Sequence, residues 1–224
     1  MQPVSEKNNF LYLVISLVFL LLVGALVDQF PSKLGQHFFQ AVTVITLASG
    51  IMGLRSSRLW FHTGVGFTFS VLLVVILGVI LDVSGLDYLH LIMLIIFYSW
   101  ATWLAAKQVL FTGPIDGNKI VGAICIYLLM GLIWTLLYLL IAQAMPNAFN
   151  GLEQTLWYDN FADVAYYSFV TLTTLGYGDI SPKIPIARFV VYMEAIVGVF
   201  YMAILVASLI GIKTSAITSD KENK

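Results

Sequence analysis

Six long apolar stretches set the limits on what this chain can become: Phe10–Val27, Phe38–Leu54, Phe61–Leu81, Tyr88–Ala106, Ile120–Ala144 and Ile186–Ile212. A helix needs about 17 to 25 mostly apolar residues to cross the hydrocarbon core of a bilayer, and each stretch meets that need. Only 10% of the 224 residues are Asp, Glu, Lys or Arg, against 60% apolar, and the mean hydropathy is +0.93. A soluble domain carries about 25% charged residues, so this chain has too little charge to cover a water-facing surface. The expectation is an all-α membrane protein with six transmembrane helices. The first stretch is too long for a signal-peptide core and no small-x-small cleavage site follows it, so it reads as a retained helix.

Composition also excludes several classes. Eleven basic and 12 acidic side chains leave a net charge of −1, which supplies no basic face for nucleic acid. The single cysteine, Cys125, lies inside an apolar run and allows neither an intrachain disulfide nor a Cys-rich metal site. No catalytic triad, metal cluster or phosphate loop is visible, so neither an enzyme nor a cofactor is expected.

Basic residues flanking the spans set the orientation. With the amino terminus inside, Lys7, Arg55, Arg58, Lys107, Lys119, Lys213, Lys221 and Lys224 fall inside, and Lys33, Lys183 and Arg188 outside. Both termini are therefore expected in the cytoplasm, with the chain a multi-pass protein of the cell (plasma or inner) membrane. Arg55 and Arg58 read as positive-inside anchors or as contacts to anionic lipid headgroups.

The connection between the fifth and sixth stretches is different in kind. Residues 146–159 are polar and turn-rich, Phe161–Thr173 is helix-compatible but too short to span, and Thr174-Leu175-Gly176-Tyr177-Gly178-Asp179 is glycine-rich and not helical. Irregular backbone is tolerated at membrane depth only where protein buries it or where it lines a water-filled cavity. A short helix with a glycine-rich return therefore reads as a re-entrant pore loop. The organisation expected is a cytoplasmic segment 1–9, four transmembrane helices over 10–106, a cytoplasmic linker 107–119, a pore domain 120–212 and a cytoplasmic tail 213–224. The tail is too short and polar to form a regulatory domain. The linker, with Thr112-Gly113-Pro114 and Asp116-Gly117-Asn118, is a kinked connector that would transmit motion from the first four helices to the pore.

Thr171-Leu172-Thr173-Thr174-Leu175-Gly176-Tyr177-Gly178-Asp179 resembles the selectivity signature of the tetrameric potassium channel superfamily. In such a filter, successive carbonyls replace the hydration shell of the ion. Alternating backbone geometry with positive φ makes glycine the natural residue at 176 and 178. The resemblance implies potassium as the permeant ion, bound at Thr174, Leu175, Gly176, Tyr177 and Gly178, with Tyr177 turned away from the ion path. One filter per chain implies a homotetramer surrounded by membrane lipids, with hetero-assembly left open. The resemblance covers about residues 120–212; residues 1–119 match only in helix number.

Four positions depart from the family pattern. Leu175 stands where Val is frequent, Tyr166 and Tyr167 where a Trp pair is common, and Val170 where some members carry a Glu that pairs with the aspartate after the filter. Either the Tyr166 hydroxyl takes over and tethers Asp179, or Asp179 is solvated at the outer mouth.

Glu194 interrupts the sixth span, and an ionisable residue inside a span is a functional hypothesis by default. Met193–Gly198 resembles prokaryotic two-helix-type pores, in which a Glu precedes the hinge glycine by four residues. Glu194 is expected behind the pore helix, bonded to Ser168, Thr171 or a tyrosine hydroxyl, either as a strut for the filter or as a proton-sensing gate. Gly198 is either the gating hinge or a packing glycine. Val199, Met202, Val206, Ala207 and Ile210 recur at helical spacing; by resemblance they line the cavity and gate, and the alternative is a stripe packed on the fifth helix.

The fourth stretch has no Arg or Lys before Lys107, so strong voltage gating is not expected. His90, beside Asp87, reads as an interfacial residue, and Tyr98 and Thr102 as a polar edge that bonds to a neighbouring helix. Two other readings stay open: a non-conducting subunit that modifies other channels, and a secondary transporter, although transporters usually break helices in both halves.

Overall fold

The computed structural model describes residues 9–29, 33–54, 58–81, 85–110, 117–152 and 156–222, with side chains described up to Leu205. Helix α1 is Asn9–Gln29, α2 Lys33–Gly53, α3 Arg58–Leu81, α4 Gly85–Leu110 and α5 Gly117–Ala144. A two-residue strand β1 (Phe149–Asn150) and a short helix α6 (Phe161–Leu172) follow, then β2 (Ser181–Pro182) and the long α7 (Pro185–Glu222). Among the described residues, five helices are long and apolar enough to cross a membrane: α1, α3, α4, α5 and α7. Among the described residues the apolar part of α2 is the shorter Phe38–Gly53. Helix α7 continues past the apolar stretch to Glu222, where the sequence suggested only a polar tail. The Thr112–Pro114 part of the linker and Arg55 lie outside the described residues, as does the side chain of Arg58.

The core follows the apolar faces. Leu13, Leu17 and Leu20 of α1, Phe39 and Leu47 of α2, Leu91 and Leu94 of α4, and Leu129, Leu132 and Leu136 of α5 are buried together. Helix α4 lies along α5 and α1 along α2, while α1 also packs on α5 and on α6. Helix α3 is peripheral, with Val71 its one fully buried apolar side chain among the described residues. Exposed Leu, Ile and Phe side chains on α1 and α3 suit a lipid solvent, in which apolar surface needs no cover.

Small residues let the elements approach. A Cβ on Gly24 of α1 would come within 2.7 Å of the Phe161 ring at the start of α6. Similarly, a Cβ on Gly131 of α5 would collide with the Phe169 ring, and one on Gly198 of α7 with the Leu172 carbonyl. Gly198 lies thirteen residues beyond Pro185, the first residue of α7, which at 1.5 Å per residue is about 20 Å down the helix. The carboxyl end of α6 therefore sits against α7 about a third of the way along it, and the chain from Thr173 must climb back to reach β2. There Phe149 pairs with Pro182 and Asn150 with Ser181, and the Ala148 carbonyl accepts the Lys183 amide at 2.8 Å. This small sheet ties the two ends of the α5–α7 connection together.

Candidate functional site

Three elements meet around a buried carboxyl group. Glu194 of α7 is 0% exposed. Its Oε1 lies 2.6 Å from Ser168 Oγ of α6, and its Oε2 accepts the Tyr138 hydroxyl of α5. Ser168 Oγ also lies 2.8 Å from the carbonyl oxygen of Gly131. Of the partners expected for Glu194, Ser168 and a tyrosine are therefore present. Thr171 instead is hydrogen-bonded to Tyr167 on its own helix.

Beyond this node α6 ends in a specific way. The Leu175 amide donates to the Val170 carbonyl at 2.9 Å and the Thr174 amide to the Thr171 carbonyl at 2.9 Å. This is the paired-bond ending in which the residue after the helix adopts a left-handed conformation. That residue is Thr174, at φ 60°, although a β-branched side chain is disfavoured there. Gly176 follows at φ 57° and Gly178 at φ 82°, whereas Leu175 and Tyr177 are not in the positive-φ region. The sign of φ thus alternates over five residues. Such alternation turns successive peptide planes the same way, where an ordinary strand would alternate their carbonyls. A Cβ on Gly176 or Gly178 would meet nothing within 4 Å, so backbone conformation, not space, selects glycine at both. Sequence reasoning named the two glycines and Thr174, but not the positive φ of Thr174, because nothing in a threonine announces one.

Residues 173–179 are all exposed on the single chain. The Tyr177 ring stacks on Tyr166, centroids 6.4 Å apart and planes 11° from parallel. The Tyr166 hydroxyl and the Asp179 carboxyl are hydrogen-bonded. That bond, first among the causes, holds Asp179 below the usual carboxylate range and raises the Tyr166 phenol.

Gly198 is buried against Leu172 within a continuous helix, a packing reason for the glycine. Val199 is 55% and Met202 46% exposed on the single chain. Val206, Ala207 and Ile210 lie on the continuation of α7, and their side chains are outside the described residues.

The first four helices reach the site directly. Trp157, 1% exposed, donates its indole N–H to Asp87 Oδ1 of α4 at 3.4 Å, meets the His90 ring edge-on at 5.2 Å and lies 6.2 Å from Phe39 of α2. His90 is thus buried within the protein, with the Trp157 ring packed against it. Thr102 departs from expectation: its hydroxyl donates to the Tyr98 carbonyl of its own helix at 2.7 Å, since a Thr in a helix reaches its own preceding turn most easily. No group of acidic, His or Cys side chains suited to a metal ion occurs among the described residues.

Residues 122–213 match the family model described as "Ion channel". The part of the chain from α5 through α6 into α7 is thus similar to an ion-channel domain, and this similarity together with the apolar helices fits a multi-pass membrane protein. No curated protein and no solved structure matches the chain.

Proposed function

We propose that the chain is the subunit of a potassium-selective channel, with residues 174–178 as its filter and four copies around one axis. The observation that carries this is the alternation of φ at Thr174, Gly176 and Gly178, in non-helical backbone that starts where α6 meets α7 near Gly198. Carbonyls turned the same way can replace the water around a dehydrated cation. One strand of them covers one side of the ion, so closure of the coordination shell needs further copies. The exposure of residues 173–179 on the single chain supports the same conclusion, because bare polar backbone at membrane depth has to be buried in protein or line a cavity.

In this reading α2 is the sixth span, α6 and residues 173–180 form the re-entrant loop, and both termini are cytoplasmic in the cell membrane, as the distribution of basic residues favours. Tyr166, Thr171, Asp179 and Glu194 brace the filter. Val199, Met202, Val206, Ala207 and Ile210 line the cavity and gate, and Gly198 gives α6 its seat on α7. Moving one charge through the membrane field is worth about 2.3 kcal/mol per 100 mV. Helix α4 carries no Arg or Lys before Lys107 in its last turn, so it offers little gating work and conduction depends weakly on voltage.

Purified protein in liposomes tests the proposal. Potassium efflux down a gradient is expected, with sodium efflux at least tenfold slower, from an assembly with the mass of four 24.8 kDa chains. Equal sodium and potassium flux would contradict the selective filter. Absence of flux in an intact tetramer would favour the non-conducting subunit.

A further inference from the structure

We infer that Tyr138 and Glu194 form one hydrogen-bond chain, with Glu194 in its neutral acid form, that positions both ends of residues 171–182. This rests on reading residues 174–178 as the filter. Proton counting leads to the neutral form. Ser168 has one hydroxyl proton and lies within hydrogen-bond distance of two oxygens, Gly131 O at 2.8 Å and Glu194 Oε1 at 2.6 Å. A backbone carbonyl can only accept, and a carboxylate can only accept. With an ionised Glu194, one of these two short contacts would lack a proton. With the proton on Glu194, each contact has one: Tyr138 to Oε2, the acid to Ser168, and Ser168 to Gly131. Three elements are then joined without a net charge in the membrane, where an unpaired charge is costly.

Tyr138 is the residue through which this chain reaches both ends. Its side chain is fully buried, and its ring lies 5.3 Å from Tyr167 and 5.6 Å from Phe149, which are 5.9 Å from each other. Tyr167 is bonded to Thr171, one turn before Thr174. Phe149 is paired with Pro182, where the chain leaves the loop. The ring triangle therefore links the start of residues 171–182 to their end, and the hydroxyl anchors the triangle to α7. Tyr138 is a positioning residue, without contact to the ion path.

Amide hydrogen exchange of the full-length protein in nanodiscs tests this without reference to ion selectivity. Tyr138→Phe is expected to speed exchange at least tenfold both at Thr173–Tyr177 and at Ile180–Lys183, with α1 to α4 unchanged. Glu194→Leu should do the same. Glu194→Gln, whose amide can donate to Ser168 and accept from Tyr138, should raise it no more than twofold. Unchanged exchange at either end in Tyr138→Phe would overturn the positioning role. A Glu194→Gln protein that exchanges like Glu194→Leu would overturn the neutral acid. If Tyr138→Phe fails to assemble, Phe149→Leu opens the triangle but keeps the hydroxyl bond; it should speed exchange at Ile180–Lys183 alone, and no change there would overturn the link. Loss of potassium selectivity in the unaltered protein would remove the filter reading and leave these exchange results interpretable.

Discussion

The four amino-terminal helices and the α5–α7 region use polar side chains in different proportions. In α2, α3 and α4 several bond to the preceding turn of their own helix, as Thr43 does to Gln40 O, Thr46 to Val42 O, Ser70 to Gly66 O and Thr102 to Tyr98 O, and the Ser16–Ser49 pair joins α1 to α2. In α5–α7 they cross between elements: Tyr138 and Ser168 to Glu194, Ser168 to Gly131, and Tyr201 to the Ala123 carbonyl at 2.6 Å. Association of helices in lipid relies on close packing and interhelical hydrogen bonds, each of which contributes about 1 kcal/mol. The first region is held mainly by the packing of apolar side chains, with the Ser16–Ser49 pair as its link between α1 and α2. The second is held by directional bonds that fix where α6 ends and where the irregular backbone begins.

The largest break in that comparison is expected from Gly178→Ala. An L-residue in the left-handed region costs about 1–2 kcal/mol, and at φ 82° the alternation should fail. Potassium-over-sodium permeability is expected to fall about tenfold or more, read as a shift in reversal potential, with tetramer yield preserved. Leu47→Ala, at a fully buried site of α2, should do the reverse. It removes packing worth about 2–5 kcal/mol, lowers the thermal midpoint and leaves the permeability ratio of the surviving channels intact. A change in selectivity from Leu47→Ala would erase the distinction between the regions.

Tyr166→Phe gives a smaller effect with a definite sign. The folded carboxyl of Asp179 is lowered mainly by the Tyr166 bond, so the contribution of the ionised pair is present above the ordinary carboxylate range and is lost as pH falls through the lowered value. Removing the hydroxyl should move that acid-side loss, followed as the rate of current run-down against outer pH, to higher pH. An unchanged midpoint would mean that the tether does not act on the filter. Smallest of all is Thr102→Val, which deletes a bond internal to α4 and should alter stability by no more than about 0.5 kcal/mol.

How far each region could be read in advance follows from the same contrast. Apolar run length located α1, α4 and α5 to within a few residues, and the short helix expected over Phe161–Thr173 is α6, Phe161–Leu172. Glycines 176 and 178 carry their positive φ openly. Glu194 stood out because a carboxyl in an apolar run demands partners, and Ser168 was among those expected. Tyr138 left almost no trace: in a 28-residue apolar helix, a tyrosine is as suited to lipid or core as to a hydrogen-bonded node. The β1–β2 pair is too short to show a two-residue period, and the packing of Trp157 against His90 is a long-range contact that local spacing does not contain.

The most direct test of the channel account is the reversal potential of the purified protein in planar bilayers with potassium on one side and sodium on the other. A reversal close to the potassium equilibrium potential, with open probability nearly flat across voltage, is the predicted result. A reversal near zero in the same membranes would contradict it, since a backbone arranged to replace the water around potassium would then not distinguish it from sodium.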